Sequence, residues 1–302
     1  MFPLISDIRR YALDDGPGIR TTIFFKGCPL SCVWCHNPES MNHRAEIAFY
    51  PDRCIGCGDC AKACPEGAVK LDSGERLDRK ICQGCGRCAE QCHSLALKKV
   101  GRYYTVAELL EILKRDRTFY DTSGGGVTFS GGEPMLYMEY AGEVMKSLKD
   151  ADIHVAIETS GYFDLSVFKE KVLPYADLIL YDIKFIDQDL HRRYTGRSNQ
   201  RILSNFNHLL QEDSLTVIPG IPFIPGITAV PANLTRIAGF LKESGCDTYR
   251  LLPYNPGGIM KRRVTGREIP EGLPDCTPEM KEDMELYLEP GLLINGFEPG
   301  QR

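Results

Sequence analysis

Short apolar runs bounded by Gly, Pro or polar clusters alternate with segments of helical period along most of the chain. The runs predict strands at Arg20–Lys26, Gly126–Ser130, His154–Glu158, Leu178–Lys184, Leu215–Pro219 (with an extension toward Ile224 open) and Tyr249–Pro253. Between them the pattern predicts helices near Met138–Lys149, Leu165–Leu173, Asn199–Leu210 and Ala232–Ser244. The clearest helical signal is Thr105–Arg115. There Thr105 as N-cap and Glu108 three residues on form a capping box, while Val106, Leu109, Leu110 and Leu113 recur at helical spacing. Alternation of this kind implies a parallel sheet with helical crossovers, and six β/α units fit a partial, open (β/α)6 barrel. In such folds chemistry collects at the carboxyl ends of the strands.

The chain has 302 residues, enough for one large α/β domain and a smaller insertion. A net charge of −5 with Lys and Arg dispersed argues against nucleic acid or an anionic membrane as the main partner. The opening MFPLISDIRRYALDDGPG lacks a basic region followed by a long apolar one, and no stretch approaches the roughly eighteen apolar residues of a membrane span. A cytoplasmic protein is expected.

Thirteen cysteines change the picture. Eleven fall between Cys28 and Cys92 in three compact groups, a distribution that points to metal rather than disulfides. Cys246 and Cys276 stand apart and are expected to be free, buried thiols. Cys28, Cys32 and Cys35 form C-x3-C-x2-C directly after the first predicted strand. Three close thiolates suit an iron–sulfur cluster, and in a cubane they leave one iron open to a non-protein ligand. The rival is zinc, which prefers four ligands in paired C-x2-C units.

Cys54, Cys57, Cys60 and Cys64 spell C-x2-C-x2-C-x3-C followed by Pro65. Cys82, Cys85, Cys88 and Cys92 repeat it, with His93 in place of the proline. This is the bacterial ferredoxin run, in which the fourth cysteine crosses to the other cluster. Two 4Fe–4S clusters follow, one on Cys54, Cys57, Cys60 and Cys92, the other on Cys82, Cys85, Cys88 and Cys64. The expected organisation is a barrel from residues 1–48 and 101–302, with a ferredoxin-like insertion over 49–100.

Further motifs sit at predicted strand ends. Ser130-Gly131-Gly132-Glu133-Pro134 ends one strand, Glu158-Thr159-Ser160-Gly161 the next, and Tyr181-Asp182-Ile183-Lys184 the one after. The triplet Gly124-Gly125-Gly126 reads as an entry to its strand and receives no phosphate role. Taken with C-x3-C-x2-C, these motifs resemble the radical S-adenosylmethionine (SAM) superfamily, and within it the glycyl radical enzyme activating enzymes of the longer, two-cluster type. The N-terminal part of that resemblance is DDGPGIRTTIFFKGCPLSCVWCHNPES.

The resemblance implies that the open iron of the Cys28, Cys32, Cys35 cluster chelates SAM and that the Gly131-Gly132-Glu133 segment, with Ser130, holds its methionyl amino group. It implies a monovalent cation at Glu158, Thr159 and Asp182, with Lys184 near SAM. Trp34 would cover the adenine; otherwise it is a core residue. The implied reaction is reductive cleavage of SAM, then removal of a hydrogen atom from a glycine Cα of a partner glycyl radical enzyme. Electrons would come from a donor such as flavodoxin or ferredoxin. Two alternatives stand: a radical SAM enzyme acting on a peptide or small molecule, and a ferredoxin-type electron carrier. The chain departs from the family pattern twice. Gly220 occupies the place of an arginine directed at SAM, and Asn255 follows Leu251-Leu252-Pro253-Tyr254 where a relative has histidine. Arg250 is the neighbouring base available to compensate.

Overall fold

A computed structural model describes residues 2–71 and 75–274. The strands are β1 (Leu4–Ala12), β2 (Arg20–Phe25), β3 (Glu46–Phe49), β4 (Leu97–Val100), β5 (Arg102–Tyr103), β6 (Gly126–Gly131), β7 (His154–Thr159), β8 (Leu178–Asp182), β9 (Thr216–Phe223) and β10 (Arg250–Pro253). Helices are α1 (Asp59–Lys62), α2 (Arg87–Glu90), α3 (Val106–Lys114), α4 (Arg117–Ser123), α5 (Met138–Lys149), α6 (Leu165–Lys171), α7 (Gln188–Thr195), α8 (Gln200–Leu209), α9 (Pro231–Glu243) and α10 (Gly257–Thr265). One sheet runs β10-β9-β8-β7-β6-β2-β1-β5; β2 and β6 to β10 pair in parallel, and β1 and β5 extend it antiparallel. The parallel strands are the six expected, and β9 does run through its internal prolines to Phe223.

The two faces of the sheet have different work. Ile23, Phe25, Val127, Phe129, Val155, Ile157, Ile179 and Tyr181 point outward and pack with α3, α5, α6 and α8 into the main core. Their alternates point inward, where Ala156, Leu178, Leu180 and Ile218 form a small apolar layer. This is the period of two expected of a pleated strand. The capping box of α3 is present, Thr105 accepting from the Glu108 N–H and Glu108 from the Thr105 N–H.

The segment Asp15-Gly16-Pro17-Gly18-Ile19-Arg20 closes the floor of this half-barrel. Thr22 Oγ1 donates to Asp15 Oδ2 (2.6 Å), and Thr128 Oγ1 donates to the Asp15 carbonyl (2.7 Å). Arg20 is fully buried and spends its guanidinium on Thr128 Oγ1, Val127 O and Pro17 O. Burial lowers its pKa to about 10. The glycine triplet is read by the same contact. Gly124 caps α4 in a left-handed turn at φ 68°, and a Cβ on Gly125 would lie 1.9 Å from Ile19 O. Gly125 exists because two chain segments touch there.

Residues 49–100 leave and re-enter beside one another. β3 and β4 form a separate two-stranded ribbon, pairing from Glu46↔Val100 to Phe49↔Leu97. The stretch between has its own small core of Ile47, Val69, Leu77, Cys88 and Leu97. Arg79 donates to Ile47 O of the ribbon (2.9 Å) and ties the stretch back to the barrel by donating to Val264 O of α10 (3.1 Å). Cys246 is free and buried, as expected; Cys276 lies outside the described residues.

Gly125→Ala should cost about 2–3 kcal/mol in urea unfolding, since overpacking against a fixed backbone carbonyl cannot relax cheaply. Gly239→Ala, at an exposed α9 position where an added Cβ meets nothing within 4 Å, should instead gain roughly 0.5–1 kcal/mol. Equal effects at the two sites would refute the packing account.

Candidate active site

The Cys28–Cys35 loop crosses the carboxyl end of β2 and is fastened by backbone and arginine contacts. Gly27 N–H donates to Ser40 O (2.7 Å) and Cys28 N–H to Met41 O (3.1 Å). Ser31 N–H reaches Thr195 O (2.8 Å) and Val33 N–H reaches Tyr194 O (3.1 Å), both at the end of α7. Arg262 of α10 donates to the carbonyls of Cys32 (3.0 Å) and Val33 (3.2 Å). Burial pushes all three thiols up, Cys35 to about 12, so holding them as thiolates requires a metal's charge nearby.

The Gly131-Gly132-Glu133 turn lies against this loop. Gly132 N–H donates to Phe25 O and Glu133 N–H to Gly27 O, each 2.8 Å. A Cβ on Gly132 would sit 2.2 Å from Gly27 O. The glycines thus allow two backbones to meet immediately before Cys28. Glu133 itself turns inward and is fully buried. Its carboxylate accepts from Met135 N–H (3.1 Å), Thr159 Oγ1 (2.8 Å), Ser160 N–H (2.9 Å) and Ser160 Oγ (2.6 Å). Burial raises its pKa, against these four donors. Thr159 is therefore committed to Glu133, and Ser160, which the sequence did not single out, is its partner.

Glu158 and Asp182 face the inside of the half-barrel. Ser130 Oγ donates to Glu158 Oε2 (2.5 Å), and Arg250 Nη2 stands 3.6 Å from Glu158 Oε1. Burial raises the Glu158 pKa, opposed by Arg250 and reinforced by Asp182 and Asp15. Lys184 Nζ donates to Asp182 Oδ2 (2.8 Å). Burial alone would lower the lysine, but Asp182 and Cys32 outweigh it and keep the ammonium charged. Asp182 Oδ1 is buried without a hydrogen-bond partner. Trp34 is buried beside the cysteine loop, tilted against Phe185 (6.1 Å between centroids) and Tyr194 (6.4 Å).

Three buried asparagines hold the loops that carry these groups. Asn205 donates to Gly161 O and Phe163 O, Asn199 to Phe185 O and Ile186 O, and Asn233 to Lys184 O and Thr228 O. None was anticipated; the available signal was a polar residue on the buried face of a predicted helix.

Within residues 49–100, one cavity is lined by Cys54, Cys57, Cys60 and Cys92, with Phe49 and Arg76. Arg76 Nη2 lies 3.5 Å from Cys54 Sγ. Burial raises the Cys88 thiol to about 11, helped by Cys82, Cys64, Cys85 and Cys60 close by. Backbone N–H groups of Ala68 and Leu97 point at Cys64 Sγ (3.2 Å) and Cys92 Sγ (3.4 Å), as sulfur ligands of a cluster require. Among the described residues no three His, Cys, Asp or Glu side chains converge on a point that would hold a single ion. Cubane ligands stand on separate irons and need no such convergence, so the donor set suits clusters of soft sulfur ligation.

The model of the radical SAM superfamily matches residues 22–233, and the chain belongs to that superfamily. Within it, the chain falls among the glycyl radical enzyme activating enzymes. It is 41% identical over 294 residues to the trans-4-hydroxy-L-proline dehydratase activating enzyme of Clostridioides difficile, covering 94% of this chain and 97% of that one. It is 40% identical over 276 residues to the isethionate sulfite-lyase activating enzyme of Desulfovibrio desulfuricans (89% and 88% covered). The benzylsuccinate synthase activating enzyme of Thauera aromatica is 41% identical over 266 residues (84% and 80% covered).

α7, the helix that secures the cysteine loop, carries a buried histidine. His191 is buried, its Nδ1 2.6 Å from Arg197 O, and burial lowers its pKa to about 4. A histidine depressed from about 6.5 contributes stability that is present above that pH and lost as pH falls toward 4, by up to about 3 kcal/mol. His191→Gln should flatten this part of the stability–pH curve between those values. An unchanged slope in urea titrations would show that His191 does not carry it.

Proposed function

We propose that this protein reductively cleaves SAM and installs a glycyl radical on a partner glycyl radical enzyme. The observation that carries this reading is the C-x3-C-x2-C loop fastened across the carboxyl end of the half-barrel, facing the Glu158, Asp182, Lys184 and Arg250 charges. Relatives about 40% identical across nearly the whole chain are named as activating enzymes of a sulfite-lyase and a dehydratase, which supports the same reading. Those relatives serve different partner enzymes at similar identity, so the comparison favours no particular partner here.

Cys28, Cys32 and Cys35 would hold the SAM-binding 4Fe–4S cluster, with its fourth iron left for SAM. Bound there, the cluster would supply the one electron that splits SAM into methionine and a 5′-deoxyadenosyl fragment, which would take a hydrogen atom from a glycine Cα of the partner. The chain's own residues orient and exclude water: Ser130, Gly131, Gly132 and Glu133 shape the wall, Thr159 holds Glu133 in place, Glu158 and Asp182 offer oxygens for a monovalent cation, and Lys184 and Trp34 border the site. We assign residues 49–100 as a ferredoxin-like insertion with two further 4Fe–4S clusters. Its ligand sets are Cys54, Cys57, Cys60, Cys92 and Cys82, Cys85, Cys88, Cys64. A cytoplasmic setting with a flavodoxin- or ferredoxin-type donor completes the reading.

Anaerobic, iron-loaded protein given dithionite and SAM should form 5′-deoxyadenosine, and Cys32→Ala should reduce this at least about a hundredfold while sparing the insertion clusters. Iron-loaded protein that binds SAM yet yields neither 5′-deoxyadenosine nor, with its partner, a glycyl radical signal by electron paramagnetic resonance would refute the function. In the insertion, Cys92→Ser should perturb the cluster on Cys54, Cys57 and Cys60. Loss confined to the Cys82, Cys85, Cys88 cluster would refute the crossed ligation.

A further inference from the structure

The two cysteine runs of residues 49–100 are built on matching backbones but do not present matching charges. Five residues beyond its fourth cysteine, each run enters a strand pairing: Val69 opposite Leu77 after Cys64, and Leu97 opposite Phe49 after Cys92. One step further on, Lys70 N–H donates to Arg76 O (2.9 Å), and Lys98 stands opposite Ala48. Arg76 and Ala48 therefore occupy the same place in the two copies, each six residues before a first cysteine. The alanine is buried and brings no polar side-chain atom. The Arg76 guanidinium lies over the Phe49 ring (5.3 Å from its centroid), lines the cavity bounded by Cys54, Cys57, Cys60 and Cys92, and donates from Nη2 to Cys54 Sγ (3.5 Å). Among the described residues it is the one charged side chain that donates to a cysteine sulfur of this stretch. The other set has its cations at a remove: Lys99 binds the Cys85 carbonyl (3.0 Å), and Arg79 is spent on the carbonyls of Ile47 and Val264. At the surface the copies differ again, Asp59 against Arg87. Asp59, however, is paired with Lys62 (3.0 Å), Arg87 is exposed, and water and salt screen both.

Iron–sulfur potentials follow net charge and the hydrogen bonds made to the sulfurs. A reduced cluster carries one more negative charge than an oxidised one, so a fixed cation bonded to its sulfur favours the reduced form. We propose that Arg76 raises the reduction potential of the cluster on Cys54, Cys57, Cys60 and Cys92, and so makes the two halves of residues 49–100 inequivalent as electron sites. The inference rests on the two-cluster reading above and deepens it. Arg76 acts through Cys54 Sγ and is a positioning residue: it neither ligates iron nor passes an electron. The electron comes from the flavodoxin- or ferredoxin-type donor, which is oxidised as the cluster is reduced. The arginine biases where that electron rests.

The test is a redox titration of the anaerobic, iron-loaded full chain, followed by electron paramagnetic resonance, on wild-type, Arg76→Gln and Arg76→Lys proteins. Cys60→Ala identifies the wave of the Cys54 set as the one it removes or displaces. Arg76→Gln should disfavour reduction of that cluster roughly tenfold, the effect of a lost charged hydrogen bond, which lowers its one-electron potential by about 59 mV. The other waves should stay in place. Arg76→Lys, which keeps the charge, should recover most of the shift, and iron content with melting temperature guards against a misfolded variant. An unmoved wave, an equal shift of every wave, or a lysine variant as low as the glutamine one would overturn the proposal. Wild-type protein that holds iron for the Cys28, Cys32, Cys35 cluster alone would instead sink the two-cluster reading, and this inference with it.

Discussion

The Glu133 carboxylate is the constraint on which the working end of this molecule depends. It sits in full burial, where an unpaired charge would be costly, and draws four donors from the turn after β6 and the turn after β7. Its own N–H holds Gly27, the residue before Cys28. One side chain therefore fixes the spacing of two strand ends and the start of the cysteine loop. A buried carboxylate tolerates no slack, because every lost donor exposes part of its desolvation cost. Position at this end is enforced by electrostatics, where the main core enforces it by packing.

The second tier of control lies in neutral and cationic groups bound to backbone carbonyls. Asn199, Asn205 and Asn233 brace the loops following β7 and β8 from the helices behind them, and Arg262 and Arg197 brace the cysteine loop from its outer side. Lys26, fully buried, shares Glu46 with Arg267 and so joins the end of β2 to β3 and to the segment after α10. These contacts come from parts of the chain far apart in sequence. The site is rigid because its loops are held from several directions at once.

The parallel strands β2 and β6 to β9 were legible because they are largely buried on both faces and read as short apolar runs between breakers; β10, with no buried residue, was read from its Leu251-Leu252 run alone. α3 and α5 were legible from their period and, for α3, from a capping box. What escaped was polar or marginal. β1 reads LISDIRRYA, carries Asp7, Arg9 and Arg10 because much of it is exposed, and lies antiparallel outside the repeating unit. α7 reads QDLHRRYT and buries little beyond His191 and Thr195, so its apolar stripe is too thin to register. α10 opens on two glycines and carries Arg262, whose role depends entirely on the loop it meets. The cysteines could be grouped from spacing alone. That Glu133 points inward, and that Thr159 is spent on it, could not, since both follow from how two strand ends meet in space.

The β3–β4 ribbon makes the cysteine-rich stretch between its strands a detour rather than a link. Its two ends are zipped together by Glu46↔Val100 and the pairs beyond, so the chain departs and returns at a single doorway. The mechanical continuity of the half-barrel never passes through the cysteines of residues 54 to 92. Damage confined to that stretch would loosen a side chamber while the fold around Cys28 stayed standing. Repair could then begin from a folded scaffold, with only the detour to be laid again.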